Sequence, residues 1–237
     1  MASRTYAVIA PDGASLTFEF GGAPRDEPTN VSQLRLGGGN LSRAYVIGKR
    51  GRHEGVLKYS LRSGTNVDRI KVYGKDVVIA QGEGTAAATF RGDYHDLTTM
   101  FSGPRPPTSR ISEIFNGLRI EDSPNGMRVD VKGSRMIDSL GWVSVMMVPH
   151  HGAVHASNPA RATALLPPHA GQRTRHGEIW RTPLADRSRH TRPRDFSYLV
   201  GSSSGLAEVF LDPFGSAVSD ADLLDWLDHI KISISGF

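Results

Sequence analysis

The sequence predicts a sheet-rich domain, α/β or mostly β, that ends in one helix. Three observations lead there. Short apolar runs alternate with polar residues between turns rich in Gly, Pro and Asn. One run, Trp142 to Val148, is nearly all apolar, as in a strand covered on both faces. A cap followed by helical spacing stands out only near the C-terminus.

In chain order, Thr5 to Ala10 and Ser15 to Phe20 read as strands flanking the turn Pro11-Asp12-Gly13, where Pro presets φ and Gly accepts a positive φ. Gly21 to Leu41 reads as loop. Strands are expected over Ala44 to Ile47, Gly55 to Tyr59, Ile70 to Tyr73, Val77 to Ala80 and Ala87 to Arg91. Leu118 to Glu121 and Met127 to Lys132 form the best hairpin, around Pro124-Asn125-Gly126. Alternation of Leu118 and Ile120, and of Met127, Val129 and Val131, gives it one buried face. Asn158 to Asp195, rich in Pro, Arg, His, Ser and Thr, reads as a long, partly mobile basic loop. Phe196 to Val200 and Ala207 to Leu211 read as strands. Ser219 is the expected N-cap of the last helix, with Asp222 at N3 and Val218 and Leu223 as a staple; Leu223, Leu227 and Ile230 make its apolar stripe. No internal repeat is visible, and residues 1–237 are read as a single domain.

With 237 residues, 38% hydrophobic and 22% charged, the chain can bury a real core and is not of disordered composition. It has no cysteine, which excludes disulfides, thiolate metal sites and a Cys nucleophile. No apolar run reaches the roughly 20 residues of a membrane span, so no membrane partner is expected. Met1 to Phe20 lacks an apolar secretory core. A cytoplasmic setting is expected, or the inside of a virion if the source is viral. The net charge of +4 is unevenly spread: Arg161 to Arg194 holds eight Arg against two acids, and Glu208 to Asp228 holds six acids and no Lys or Arg. Such blocks attract each other within a molecule or between copies, so a homo-oligomer is one expectation.

Two clusters could carry chemistry. Gly92-Asp93-Tyr94-His95-Asp96 follows a strand and offers carboxylates and an imidazole, donors suited to zinc or manganese. His150-His151-Gly152 follows the apolar strand, and six of the nine histidines fall between His150 and His190. Each has a plainer reading alone: an Asp-capped turn, and a histidine bonded to a backbone carbonyl. Glycine-rich Gly82-Glu-Gly84 and Gly37-Gly-Gly39 lack the Lys-Ser/Thr of a phosphate-binding loop.

Together the clusters resemble the C-terminal half of metallo-β-lactamase-fold hydrolases, in particular the DNA-uptake (competence) type. Val148-Pro149-His150-His151-Gly152 is similar to that family's strand ending in Val-Pro-His-His-Gly, and Phe90-Arg91-Gly92-Asp93 to its strand ending in Gly-Asp. The resemblance implies half of an αββα sandwich and a divalent metal, zinc or manganese, held by Asp93 and by His150 or His151, with His95 of the first cluster a further candidate ligand. Asp93 would bridge, and either His150 or His151 would be the last histidine ligand. The implied activity is metal-dependent hydrolysis of a phosphodiester or ester. The family's His-x-His-x-Asp-His motif is absent; His53 is the sole histidine upstream of Asp93. The chain would then be a half-domain whose missing ligands a partner chain supplies, a degenerate relative that binds without catalysis, or no relative.

The alternative is a β-rich structural, capsid-like or nucleic-acid-binding assembly subunit without catalysis. It rests on Arg173, Arg175, Arg181, Arg187, Arg189, Arg192 and Arg194, with Trp180 interleaved. Arginine grips phosphate bidentately, and an aromatic ring can stack on a base.

Overall fold

The computed structural model describes residues 3–21, 27–38, 41–132, 139–185, 191–212 and 218–236. Its first strands are β1 (Ser3–Ile9), β2 (Ser15–Gly21), β3 (Thr29–Gly38) and β4 (Leu41–Lys49), followed by helix α1 (Arg52–Gly55), which runs on as a π-helical turn over Val56–Ser60. Then come β5 (Thr65–Val72), β6 (Lys75–Gly82), β7 (Thr85–Arg91), β8 (His95–Ser102), α2 (Thr108–Asn116), β9 (Leu118–Ser123) and β10 (Gly126–Val131). The remainder is β11 (Ser139–Val148), β12 (Gly152–Ser157), α3 (Pro159–Ala164), β13 (Gln172–Arg173), β14 (Gly177–Pro183), β15 (Phe196–Ser202), β16 (Gly205–Leu211), α4 (Asp220–Asp228) and β17 (Lys231–Ser235). The fold is mostly β, and no helix among the described residues is long and apolar enough to cross a membrane.

The chain divides into two compact units. A middle unit holds Ile9–Gly13 and Val31–Trp142; a terminal unit holds Met1–Val8, Ala14–Asn30 and Val143–Phe237. In the middle unit the strand order β3-β4-β8-β7-β6-β5 is antiparallel throughout. In the terminal unit the order is β13-β14-β15-β16-β12-β11. Its strands pair antiparallel from β13 through to β11.

These two sheets have one topology. Each unit runs strand, strand, short helix, four more strands, a nine-residue helix and a last strand. The last strand pairs antiparallel outside the main sheet, β9 with β10 and β17 with β2. The chain thus repeats one topology in its two units, with the N-terminal strand β2 filling for β17 the place that β10 fills for β9. Ser109 to Ile120 matches Ala221 to Ile232 without a gap, and only Ile120 and Ile232 are the same residue. What persists is burial: Ile111, Phe115 and Leu118 in one unit, Leu223, Leu227 and Ile230 in the other. Each such side chain contributes about 1.5–3 kcal/mol by leaving water. Aromatic packing completes each core. Tyr45 meets Phe115 edge-on at 6.4 Å, and Phe20 lies 5.9 Å from Trp226.

Several local expectations hold. The hairpin turns at Pro124-Asn125, with Ser123 paired to Gly126. Ser219 caps α4 by accepting from the Asp222 amide at 3.1 Å. Others need correction. Within Gly21 to Leu41, β3 forms and buries Leu34 and Leu36. Gly55 to Tyr59 is helical, and Val56 and Leu57 pack with Leu61 against Ala80 and Ala87 on the sheet. Asn158 to Asp195 is not simply a loop over its described residues. Asn158 caps α3 through the Arg161 amide, and β14 pairs with β15 from Gly177 to Pro183.

Candidate functional site

The turn between β7 and β8 carries the Gly-Asp-Tyr-His-Asp cluster, and its side chains go separate ways. Asp93 is exposed and takes Lys75 Nζ on both oxygens, at 2.6 and 2.7 Å. The hydrogen bonds and charge of Lys75 hold its carboxyl below the usual carboxylate range. His95 Nδ1 lies 2.8 Å from Asp122 Oδ1 on β9. Asp122 Oδ2 also accepts from the Tyr94 amide at 2.7 Å, so one carboxylate of β9 fastens the hairpin tip. Gly92 is needed here, since a Cβ would strike that same carboxylate. In the terminal unit the β15–β16 tip is fastened to β17 in a similar way, by Ser204 Oγ donating to Ser233 Oγ at 3.0 Å. His95 and Asp122 thus fasten the tip of the β7–β8 hairpin to β9.

Asp96 turns to the opposite face and is fully buried. Its Oδ2 accepts from the Gly51 and His53 amides at 3.1 and 3.0 Å. Its Oδ1 lies 3.0 Å from Arg91 Nε, an ionic approach without hydrogen-bond alignment. His53, also buried, sits between Thr89 Oγ1 at 3.0 Å and Asn66 Oδ1 at 2.7 Å. This network ties α1 to the sheet. Sequence reasoning missed His53 as a member because its partners lie 13 and 36 residues away.

Pro149-His150-His151 forms the turn between β11 and β12. His151 donates through Nδ1 to the Pro149 carbonyl at 3.0 Å and packs its ring 5.1 Å from Trp226. Since a carbonyl only accepts, that nitrogen carries the proton. His150 is exposed with φ 65°, a left-handed conformation. Gly152 lies against the backbone of β16 at Phe210, where any Cβ would clash. Asp93 and His95 belong to the middle unit, His150 and His151 to the terminal unit. Among the described residues no three His, Asp or Glu side chains stand together as metal ligands would.

The basic segment separates into two kinds of arginine. Arg194 is a fastener: it donates Nε to the Asp212 carbonyl at 3.1 Å, NH2 to the Val218 carbonyl at 2.7 Å, and pairs with Asp220 at the head of α4. Arg173, Arg175, Arg181 and Arg192 are exposed. Arg181 lies over the Phe196 ring at 5.1 Å. None of the four forms an ion pair among the described residues. Arg187 and Arg189 lie outside the described residues. Trp180 is half-buried beside Gly171 and Gly201, with Nε1 donating to the His169 carbonyl at 2.8 Å.

Comparison with known proteins returned no matching family model, no matching curated protein and no matching solved structure.

Proposed function

We propose that this chain is a non-catalytic binding protein whose partner is a phosphate polyanion, nucleic acid, gripped at the β13–β14 edge of the terminal unit. The observation that carries this reading is the set Arg173, Arg175, Arg181 and Arg192. They are exposed and free of acidic partners among the described residues, while their neighbour Arg194 is consumed by the fold. Cations that the fold does not use are available to an external anion, and arginine suits phosphate oxygens in pairs. With arginines as the contacts, the expected binding is electrostatic and indifferent to sequence.

Less supports metal-dependent hydrolysis. Asp93 would have to exchange its Lys75 ion pair for a metal, and among the described residues no three His, Asp or Glu side chains stand together as ligands. The test is binding of a fluorescent duplex and a single strand to the native chain and to the variant with Arg173, Arg175, Arg181 and Arg192 all changed to Gln. Loss of binding in the variant, with the fold intact by circular dichroism, supports the reading. Equal binding by both proteins removes it.

A further inference from the structure

The middle unit holds a second feature that its own fold does not use. Under α1, beside β4 and β8, lies a cavity of about 380 Å³. Arg43 and Arg52 line it with the hydroxyl residues Ser60, Thr98 and Ser102, and apolar walls come from Val56 and Met100 among others. Neither arginine forms an ion pair among the described residues. Arg43 is only loosely engaged, with NH1 3.4 Å from Thr99 Oγ1 and its guanidinium over Phe101 at 4.8 Å. Arg52 Nε is buried without a hydrogen-bond partner. Burial lowers its pKa, opposed by the charge of Asp96. Asp96 itself is matched to Arg91 and two backbone amides. Arg52 thus has a buried, unbonded Nε and, among the described residues, no carboxylate within ion-pair distance, since the Asp96 that acts on its charge is engaged elsewhere, and this leaves the guanidinium available to a ligand.

The repeated topology supplies the comparison. Aligning the hairpin tips β7–β8 and β15–β16 by strand start sets Glu208 of the terminal unit at the place of Thr98. Thr98 pairs Val46 of β4, and Glu208 pairs His155 of β12, so each faces the second strand of its own sheet. In the terminal unit the short helix after the second strand also brings an arginine, Arg161, close enough to act on the charge of Glu208. In the terminal unit a carboxylate, Glu208, stands on the strand where the middle unit has Thr98. The middle unit sets a cavity beside that threonine.

We propose that this cavity binds a small organic anion, a phosphate monoester or carboxylate on an apolar group, whose anionic oxygens take the place that Glu208 fills in the sister unit. Arg52 and Arg43 grip the oxygens, with Ser60, Thr98 and Ser102 within the same cavity as donors. Val56 and Met100 face the apolar part. The volume suits a ligand at the small end of ordinary binding pockets.

The test is calorimetric titration of the full chain with phenyl phosphate, benzoate, inorganic phosphate and phenol. Phenyl phosphate or benzoate should bind at least tenfold more tightly than inorganic phosphate or phenol, and the tighter of the two identifies the anion. Arg52→Gln should weaken it by about tenfold or more, the scale of one charge-assisted hydrogen bond. Should that variant unfold, Met100→Glu serves, because Met100 is 41% exposed and a carboxylate there neutralises the arginines without disturbing the core. Its binding should vanish. His150→Gln, in the terminal unit, should leave binding unchanged. No binding by either organic anion at millimolar concentration, or binding untouched by Arg52→Gln and Met100→Glu, overturns the proposal.

Discussion

Removing the Asp96 carboxylate should be among the most damaging single changes in the middle unit. Its side chain is fully buried, and it accepts two backbone amides at 3.0 and 3.1 Å besides facing Arg91 at 3.0 Å. Breaking a buried ion pair from one side costs about 3–5 kcal/mol. Arg91 is 21% exposed and keeps Glu54 at 3.1 Å, which moves the ionic part toward the low end. The orphaned Gly51 and His53 amides add to it, at about 1–3 kcal/mol each when fully shut off from water. Water can reach the space left by a truncated side chain, so the total for Asp96→Ala is about 3–4 kcal/mol. Asp96→Asn keeps an oxygen for one or both amides and loses only the charge, so about half that cost is expected. Guanidinium titrations give the free energies, and hydrogen exchange at the Gly51 and His53 amides locates the damage. A loss below about 1 kcal/mol for Asp96→Ala, with both amides still protected, would refute the network as the tie between α1 and the sheet.

Three further outcomes follow from local geometry. Arg194→Gln should cost about 2–3 kcal/mol in thermal or chemical unfolding, since it removes charge-assisted bonds to Asp212, Val218 and Asp220; Arg173→Gln should cost nearly nothing. Ser219→Ala should cost about 1 kcal/mol through loss of the α4 cap, read by the same titration. Glu208→Gln should raise stability at pH 7. Burial lifts the folded pKa of Glu208, with the charge of Arg161 opposing. The folded state therefore resists ionisation, and native stability falls as pH climbs from the unfolded pKa through the folded one. The difference between native protein and Glu208→Gln should accordingly close at pH values below the unfolded pKa, about 4.3.

Much of the strand layout was legible because alternation and turn chemistry are local. Pro124-Asn125-Gly126 and the Ser219 cap each encode their geometry within a few residues. The repeated topology was not legible. The two units agree in which positions are buried, as with Phe115 and Leu227, while the residues themselves differ. The helical turn at Val56 and strand β14 were also hidden, since each is fixed by a distant sheet face or partner strand. For the sites, the sequence identified candidate donor residues but not their partners. Asp93, His95 and His151 have the side chains a metal needs, and only the fold shows Lys75, Asp122 and the Pro149 carbonyl already beside them. The arginine segment looked uniform in sequence. Structure separates Arg194, which holds α4, from the four that face water.

The salt dependence of duplex binding tests the functional reading most directly. Four arginines on phosphates release counterions, giving a slope of log K against log salt of about −3.6 or steeper, from roughly −0.9 per contact. The variant lacking Arg173, Arg175, Arg181 and Arg192 should lose about that much slope together with its affinity. A native slope near zero, or one that the variant retains in full, would contradict binding through this edge.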